Sequence, residues 1–347
     1  MDERTGRPIT PVVEAEVKDE KPKAKNPGDA IPQPSASIIL ISPDNEVLLL
    51  HRVKDSSSFP SAHVFPGGNL SDQDGKIPAV GSYQRHFENG AYRRAAIREL
   101  FEESGVLLAR NSETKEMINV PHLERERGRN AIHAREIEFQ DWLKNQDQHA
   151  EPDIENLIPF THWITPTGLK FARRYTTQMY LYLLPITTTS TYDSEVDFQD
   201  PTPDGDIEIT SAKFLSATEW LRLARSGSVI MFPPQILLLT LISQFLDPST
   251  PWPSDEELEV RRKELLDFIH GDHPPWTERY MSPTIIGLNP DKRLILGLDS
   301  PGRELEGSKV KGDNERVILV NFRKEGPREV EVRYKKEVMA KLDKGRL

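Results

Sequence analysis

The segment 91–104 constrains the fold most strongly, because its apolar and acidic residues separate onto opposite faces at the spacing of an α-helix. On one face, Glu99, Glu102 and Glu103 stand at positions i, i+3 and i+4, so that three carboxylates share about one helical turn. The apolar residues that point the opposite way are Ile97, Leu100 and Phe101. The pattern predicts a helix that packs on a core with one face and presents a cluster of like charges on the other.

Three neighbouring carboxylates repel one another unless a cation neutralises them. A hard divalent ion such as Mg²⁺ takes oxygen ligands, so a metal site is one interpretation of the acidic face. The alternative is a solvated acidic stripe on an amphipathic helix. Arg98 is placed to reach Glu102 one turn later and to hold it in a fixed orientation. Gly105 suits the position just after the helix, where the backbone often adopts a left-handed conformation.

Residues 98–106 resemble the second half of the signature of Nudix hydrolases, which reads Arg-Glu-apolar-any-Glu-Glu-any-Gly-apolar. The glycine pair that opens this signature is present upstream as Gly67-Gly68. The resemblance implies an α/β fold, a Nudix-type α/β/α sandwich with a mixed sheet, and Mg²⁺ or Mn²⁺ as the cofactor. It also implies that the metal ligands are Glu99, Glu102 and Glu103, and that these three act with Arg98 as the catalytic group.

The region before the helix resembles one branch of this family, the coenzyme A diphosphatases of peroxisomes and mitochondria. In that branch an Arg follows an apolar strand and a Phe-Pro-Gly-Gly run leads into the signature, as Arg52 and residues 65–68 do here. Glycines let the backbone approach a diphosphate and offer it N–H groups. An Arg-Arg pair before a β-rich segment also resembles the branch, and it can bind phosphate or simply end a strand. The substrate-binding candidates are Arg52, Gly67, Gly68, Arg173 and Arg174.

The spacing of the signature departs from the usual pattern. Arg98 follows Gly68 by 30 positions, whereas Gly, five residues, Glu, seven residues and Arg need 14, which indicates an insertion of 16 residues at about 70–88. The position eight before Arg98, usually Glu, is Gly90. Glu88 is the nearest acid and a candidate replacement. Without a replacement, one metal-associated carboxylate is missing.

Composition limits the classes of partner and of site. The net charge is −10, from 45 Lys+Arg against 55 Asp+Glu, so no global positive field favours nucleic acid as a partner. The chain has no cysteine, which excludes disulfides, thiolate metal sites and a Cys nucleophile. Any metal must therefore bind oxygen or imidazole. The expected partner is a small nucleoside diphosphate derivative, and the oligomeric state stays open.

The rest of the sequence predicts three parts. Residues 1–34 are rich in Pro and charge with almost no aromatic residues, which predicts a disordered tail. A Nudix domain is expected at 35–250, with insertions at about 70–88 and 120–148, the second of them helical from its apolar spacing. Residues 251–347 follow a Pro-rich linker, and we expect an extension that contains β-strands and packs on the Nudix domain.

Targeting signals are weak. No apolar run reaches the ~18 residues that span a bilayer, and the N-terminus lacks an apolar signal core. We therefore expect an intracellular protein without a membrane span. The C-terminal Gly345-Arg346-Leu347 resembles the Ser-Lys-Leu peroxisomal address only loosely, which leaves cytoplasm, peroxisome and mitochondrion open.

The resemblance implies hydrolysis of a nucleoside diphosphate linked to another moiety, with coenzyme A or acyl-coenzyme A as the first choice of substrate. NADH, ADP-ribose and nucleotide sugars are the alternative substrates. A third hypothesis, from a different class, is a catalytically impaired Nudix fold that serves as a binding module. Gly90 and Thr176, each in a place where an acid is expected, favour the module, whereas the intact acidic helix opposes it.

Overall fold

A computed structural model describes residues 30–54, 60–167, 173–186, 200–205, 207–247 and 253–344. Most of the predicted tail, and the C-terminal Gly345-Arg346-Leu347, lie outside these ranges. The first strand begins at Gln33, two residues before the predicted start of the Nudix domain at residue 35. Within the described ranges, none of the helices has the length and apolar character needed to cross a bilayer.

Strands and helices alternate along most of the chain. The strands are β1 (Gln33–Ile41), β2 (Val47–Arg52), β3 (His63–Val64), β4 (Gly67–Asn69), β5 (Ala109–Asn111), β6 (Ala150–Pro152), β7 (Ile158–Ile164), β8 (Tyr175–Leu183), β9 (Ile209–Leu215), β10 (Tyr280–Met281), β11 (Thr284–Leu288), β12 (Leu294–Leu298), β13 (Asp313–Arg323) and β14 (Gly326–Tyr334). The helices are α1 (Gly90–Ser104), α2 (His122–His133), α3 (Phe139–Gln146), α4 (Ala217–Arg225), α5 (Pro233–Ile242), α6 (Asp255–Gly271) and α7 (Lys335–Lys344).

The central sheet is mixed. β1 runs parallel to β8 along its whole length and antiparallel to β2 and β4. β7 pairs antiparallel with β8, and the short β10 pairs parallel with β7. β2 also pairs antiparallel with β3 and β9. β1 therefore lies in the middle of the sheet, which agrees with its almost complete burial.

The sheet is covered by helices on both faces. Because side chains alternate along a strand, Ile38 and Leu40 of β1 pack into the core that contains the apolar face of α1. Ile39 and Ile41 pack into a second core with α4 and α5 on the other face. The predicted α/β/α sandwich with a mixed sheet is thus confirmed.

Segment 120–148 contains the two helices α2 and α3, as its spacing predicted. Phe101 of α1 stacks on Trp142 of α3, with 4.7 Å between the ring centroids. Because Gly128 of α2 has no side chain, the Trp142 ring can approach α2 closely. A Cβ at that position would lie 2.3 Å from Cε2 of Trp142. α2 and α3 therefore pack on α1, on the face of the sheet opposite α4 and α5.

Strands β11 to β14 form a separate antiparallel sheet near the C-terminus. Its apolar residues Leu296, Ile318 and Val320 join the core formed with α4 and α5. Arg262 of α6 also donates hydrogen bonds to Asn45 Oδ1 and to the carbonyl of Ser42, in the loop between β1 and β2. The C-terminal part of the chain thus packs directly on the central sandwich.

A buried polar cluster lies between β7, β8 and α1. His162 Nε2 lies 2.7 Å from the Thr176 hydroxyl, and its Nδ1 lies 3.1 Å from Gln178 Oε1. His86 Nδ1 is 3.0 Å from the same hydroxyl. Burial lowers the pKa of His162 to about 3 and also lowers the pKa of His86. The folded protein therefore keeps these imidazoles neutral.

We expect acid to destabilise the protein, because His162 is kept neutral only in the folded state. As the pH falls through about 6.5 the unfolded chain binds a proton on this histidine, whereas the folded protein does so only near pH 3. His162→Gln should therefore reduce the loss of unfolding free energy between pH 7 and pH 5 by about 2 kcal/mol. Urea denaturation at both pH values measures this, with the exposed His122→Gln as control. An unchanged pH dependence in His162→Gln would contradict the assignment.

Candidate active site

A cleft of about 580 Å³ opens beside the acidic face of α1. The acidic turn of α1 and the glycine pair of β4 supply one part of its lining. The beginnings of β1 and β8 and the end of β7 supply a second part. The start of α5 and three residues of the C-terminal extension, Pro283, Leu296 and Phe322, supply a third. The cleft thus joins carboxylates, backbone and apolar side chains that are far apart in sequence.

Helix α1 is held at both ends by local interactions. The Asn89 side chain caps its beginning by accepting a hydrogen bond from the Ala91 N–H at 2.9 Å. Gly105 follows its last residue with φ 74°, and the Gly105 N–H donates to the Phe101 carbonyl. The predicted helix and the predicted role of Gly105 are confirmed. These caps fix where the helix begins and ends.

Arg98 binds two of the predicted metal ligands. Its Nη1 donates to Glu99 Oε1 at 2.7 Å and to Glu102 Oε1 at 2.9 Å. Its Nη2 also donates to the Asn69 carbonyl, next to the glycine pair. Arg98 therefore holds the acidic turn of α1 against the end of β4.

Glu103 is held by Gly67 of β4 and Arg52 of β2. Its Oε2 accepts a hydrogen bond from the Gly67 N–H at 2.8 Å, and its Oε1 lies 3.4 Å from Arg52 Nη1. Arg52 Nη2 also pairs with Glu208 Oε2 at 2.9 Å. The sequence predicted that the glycine pair offers its N–H groups to a diphosphate, whereas in this structure the Gly67 N–H donates to a protein carboxylate.

Gly68 lies against Glu99. A Cβ at Gly68 would lie 2.3 Å from Glu99 Oε2, so only glycine allows this carboxylate its position. At Gly67 a Cβ would lie 2.3 Å from the Ala36 carbonyl of β1, where the φ of 155° is also strained for other residues. Gly67 is thus required for the close approach of β4 to β1, whereas Gly68 leaves space for the Glu99 carboxylate in its present rotamer.

The carboxylates carry more negative charge than their arginine partners offset. Burial raises the pKa of Glu99 to about 7, with Arg98 opposing the rise and Glu102 adding to it. Burial also raises the pKa of Glu103, with Arg52 opposing and Glu99 adding. A buried group of like charges is stabilised when a cation binds between its members.

The donor set fits a hard divalent cation in its chemistry, because it consists of carboxylate oxygens on one helical turn. In the part of the chain that the structure describes, no three Asp, Glu or His side chains converge on one coordination point. Glu99 and Glu102 instead both turn an oxygen towards Arg98. Metal binding by Glu99, Glu102 and Glu103 thus requires these long side chains to change rotamer.

The acid that the sequence reasoning missed is Asp74. Arg98 Nε donates to Asp74 Oδ1 at 2.8 Å and Arg98 Nη2 to Asp74 Oδ2 at 2.7 Å, a bidentate pair with both side chains buried. Asp74 follows Gly68 by six positions, which is the place of Glu in the usual pattern. Counting forward from Gly68, not backward from Arg98, would have found it. The insertion therefore lies between Asp74 and Arg98.

The two residues used to argue for a lost acid, Gly90 and Thr176, and the candidate replacement Glu88 have other roles in the structure. Gly90 is the first residue of α1, two helical turns before Arg98. Glu88 pairs with Arg93 and accepts a hydrogen bond from the Tyr180 hydroxyl, so it does not replace the acid. Thr176 belongs to the buried histidine cluster and not to the lining of the cleft. None of them indicates a defect in the acidic site.

The two candidate arginines before β8, Arg173 and Arg174, lie in different environments. Arg173 is exposed and lines the cleft. The prediction for Arg174 requires correction, because its guanidinium is buried away from the cleft, 2% exposed. It pairs with Glu304 at 2.6 Å and donates to the carbonyls of Thr165 and Ala30. Arg174 therefore joins β8 to the C-terminal extension, and of the two arginines only Arg173 lines the cleft.

Residues 81–242 match the family model described as the NUDT19 Nudix domain. The matched residues form a Nudix hydrolase domain. The matched residues include α1 with the acidic turn, and they end with the last residue of α5. The Nudix domain therefore contains most of the lining of the cleft, whereas Pro283, Leu296 and Phe322 come from the sequence that follows it.

Three relatives are similar to this chain. The acyl-coenzyme A diphosphatase NUDT19 of Xenopus laevis is 25% identical over 58% of this chain and 60% of its own length. The putative nudix hydrolase 7 of Caenorhabditis elegans is 29% identical over 61% of each protein. The acyl-coenzyme A diphosphatase NUDT19 of Gallus gallus is 27% identical over 80% of this chain and 85% of its own length. The chain thus spans about three fifths of the length of the first two relatives.

Replacement of Asp74 should destabilise the protein strongly. Asp74→Asn removes the charge that offsets buried Arg98 and should lower the free energy of unfolding by about 3 kcal/mol. The exposed Asp72→Asn, two residues earlier, should change it by less than about 0.5 kcal/mol. Chemical denaturation of the two variants measures the difference. Equal stability of both variants would show that Asp74 does not hold Arg98.

Proposed function

We propose that this chain is a metal-dependent diphosphatase that hydrolyses coenzyme A or acyl-coenzyme A. Water would cleave the diphosphate to give adenosine 3′,5′-bisphosphate and a phosphopantetheine or acyl-phosphopantetheine. The single observation that carries the proposal is the position of Arg98, which holds Asp74, Glu99 and Glu102 at the edge of the cleft. The substrate class is supported by the relatives named acyl-coenzyme A diphosphatase.

The residues divide the work of hydrolysis between them. Glu99, Glu102 and Glu103 would hold Mg²⁺ or Mn²⁺, which when bound neutralises phosphate charge and lowers the pKa of a water molecule. Arg98 orients two of these carboxylates, and Asp74 in turn orients Arg98. The exposed Arg173 at the cleft offers a guanidinium for a charge-assisted hydrogen bond to substrate phosphate.

The proposal favours an active enzyme over an impaired binding module. The module hypothesis depended on a missing acid. Asp74 pairs with Arg98 and stands six positions after Gly68 in the sequence, where the usual pattern has Glu. NADH, ADP-ribose and nucleotide sugars share the diphosphate, so they are the alternative substrates in the assay below.

Metal binding can be tested without turnover. Mg²⁺ or Mn²⁺ at millimolar concentration should raise the melting temperature, because a ligand that binds only the folded state stabilises it. Glu102→Gln should reduce the rise, whereas Glu113→Gln, in an exposed turn, should keep it. Differential scanning fluorimetry across a metal titration measures both. An equal rise in Glu102→Gln and Glu113→Gln would remove the metal assignment.

A panel of substrates tests the activity. With Mg²⁺ or Mn²⁺ present, we expect turnover of coenzyme A, with adenosine 3′,5′-bisphosphate identified by chromatography and mass spectrometry. Glu103→Gln should lower kcat by about 100-fold or more, because it removes one of the carboxylates proposed to hold the metal, and Glu113→Gln should not. NADH, ADP-ribose and a nucleotide sugar complete the panel. Turnover of one of these instead of coenzyme A would correct the substrate, and turnover of none would overturn the enzyme proposal.

A further inference from the structure

One exposed arginine of the cleft, Arg135, lies in the turn between α2 and α3. Within the described part of the chain, its guanidinium makes neither an ion pair nor a hydrogen bond. Two other arginines of the lining, Arg52 and Arg98, are both paired with carboxylates. Arg135 is therefore a cation of the cleft wall whose N–H groups are open to a ligand.

The backbone of Arg135 has a conformation that favours glycine. Its φ is 61°, in the left-handed region. The Arg135 N–H donates to the Ile132 carbonyl and the Glu136 N–H donates to the Ala131 carbonyl, which is the pattern of a Schellman motif at the end of α2. Glycine is the usual residue at this position because it has no Cβ. A contact between the side chain and a ligand would explain an arginine here, and a favourable interaction with the helix dipole is the alternative.

Contacts on both sides of this turn place it beside the acidic turn of α1. Six residues before Arg135, Arg129 of α2 donates through Nε and Nη2 to the Glu102 carbonyl, at 3.3 and 3.2 Å. Four residues after Arg135, the Phe139 N–H donates to Gln73 Oε1 at 3.0 Å. Gln73 is followed in the sequence by the aspartate of the buried arginine pair described above. The turn that carries Arg135 is thus held at both ends against the acidic part of the cleft.

The anion that suits this position is the substrate diphosphate. A metal held by the acidic turn would bind some of its oxygens, and the others need donors from elsewhere in the cleft. A planar guanidinium can donate to two phosphate oxygens at once. When water attacks one phosphorus, the bond from that phosphorus to the bridging oxygen breaks and negative charge develops on this oxygen. A fixed cation next to the diphosphate stabilises that charge in the transition state.

We propose that Arg135 binds the diphosphate of the substrate from the α2 side of the cleft, so that segment 120–148 completes the active site. The inference rests on the proposed function, because it takes a metal-bound diphosphate as the group that reacts. Arg135 is then a catalytic residue, since its guanidinium touches that group. The segment thereby contributes to catalysis in addition to packing on α1.

The test replaces Arg135 in the full chain. Arg135→Gly removes the guanidinium and introduces the residue that a φ of 61° favours, so the fold should be kept. Arg135→Lys keeps the charge but not the planar fork. The matched control is Lys292→Gly, which removes an exposed cation at φ 65° in the turn between β11 and β12, outside the lining of the cleft.

Three measurements are made on each variant. Kinetics with Mg²⁺ and either coenzyme A or dephospho-coenzyme A give kcat and KM for two substrates that share the diphosphate. Calorimetric titration with ADP and Mg²⁺ gives a Kd for a diphosphate without turnover. Thermal melting, with and without Mg²⁺, gives stability and metal binding.

We expect Arg135→Gly to lower kcat/KM by about 100-fold on both substrates. Its Kd for ADP should rise about 10-fold, because a charge-assisted hydrogen bond is lost. Its melting temperature should stay the same or rise, and the further rise with Mg²⁺ should be kept because the carboxylates are unchanged. Arg135→Lys should recover part of the activity, and Lys292→Gly should behave as the wild type.

Two results would identify a different role for Arg135 and overturn the inference. A loss confined to coenzyme A, with dephospho-coenzyme A unaffected, would show that Arg135 binds the phosphate on the ribose. A lower melting temperature of Arg135→Gly with an unchanged Kd for ADP would show that Arg135 only stabilises the end of α2.

The outcomes also separate this inference from the proposed function. If Arg135→Gly and Lys292→Gly hydrolyse coenzyme A with the same kcat/KM, the role of Arg135 is wrong and the function stands. If no substrate is hydrolysed but Arg135→Gly weakens the binding of ADP, the function is wrong and the diphosphate site stands. Failure of both hydrolysis and ADP binding in the wild type would overturn both.

Discussion

The site depends on one buried cation, the guanidinium of Arg98. Burying a charged group is unfavourable unless its hydrogen bonds are made, and here Asp74, Glu99, Glu102 and the carbonyl of Asn69 make them. These partners belong to β4, to the segment after it and to α1. The planar guanidinium fixes the directions of its hydrogen bonds, so it holds these three segments in one arrangement. In that arrangement the Glu99 carboxylate lies against Gly68.

The parts of the fold that follow from local sequence could be predicted. The acidic and apolar faces of 91–104, and the glycine after them, depend on neighbours one helical turn apart, and α1 with its end at Gly105 agrees with the prediction. Asp74 was missed because an insertion of unknown position breaks the count between Gly68 and Arg98. Helical periodicity gives no information about a loop, so only the spacing from the glycine side could identify this acid.

Interactions between distant residues could not be predicted in the same way. Arg174 stands at the beginning of a strand in sequence, but its partner Glu304 lies 130 residues later. The strands of the C-terminal extension were recognisable from their apolar runs. Their packing on α4 and α5, and hence the presence of Leu296 and Phe322 in the cleft, depends on tertiary contacts that no local pattern records. The sequence therefore predicted the acidic side of the site better than its apolar side.

The two sides of the cleft differ in polarity. On the side of α1, buried carboxylates outnumber the arginines that pair with them, and burial together with mutual repulsion raises the pKa of Glu99 and of Glu103. A divalent cation would stabilise the charged forms of these groups. On the side of α5 the lining includes the uncharged Phe232, Pro234 and Phe322, each of them partly exposed. A ligand fits both sides when it brings a metal-bound anion to the first and an uncharged part to the second.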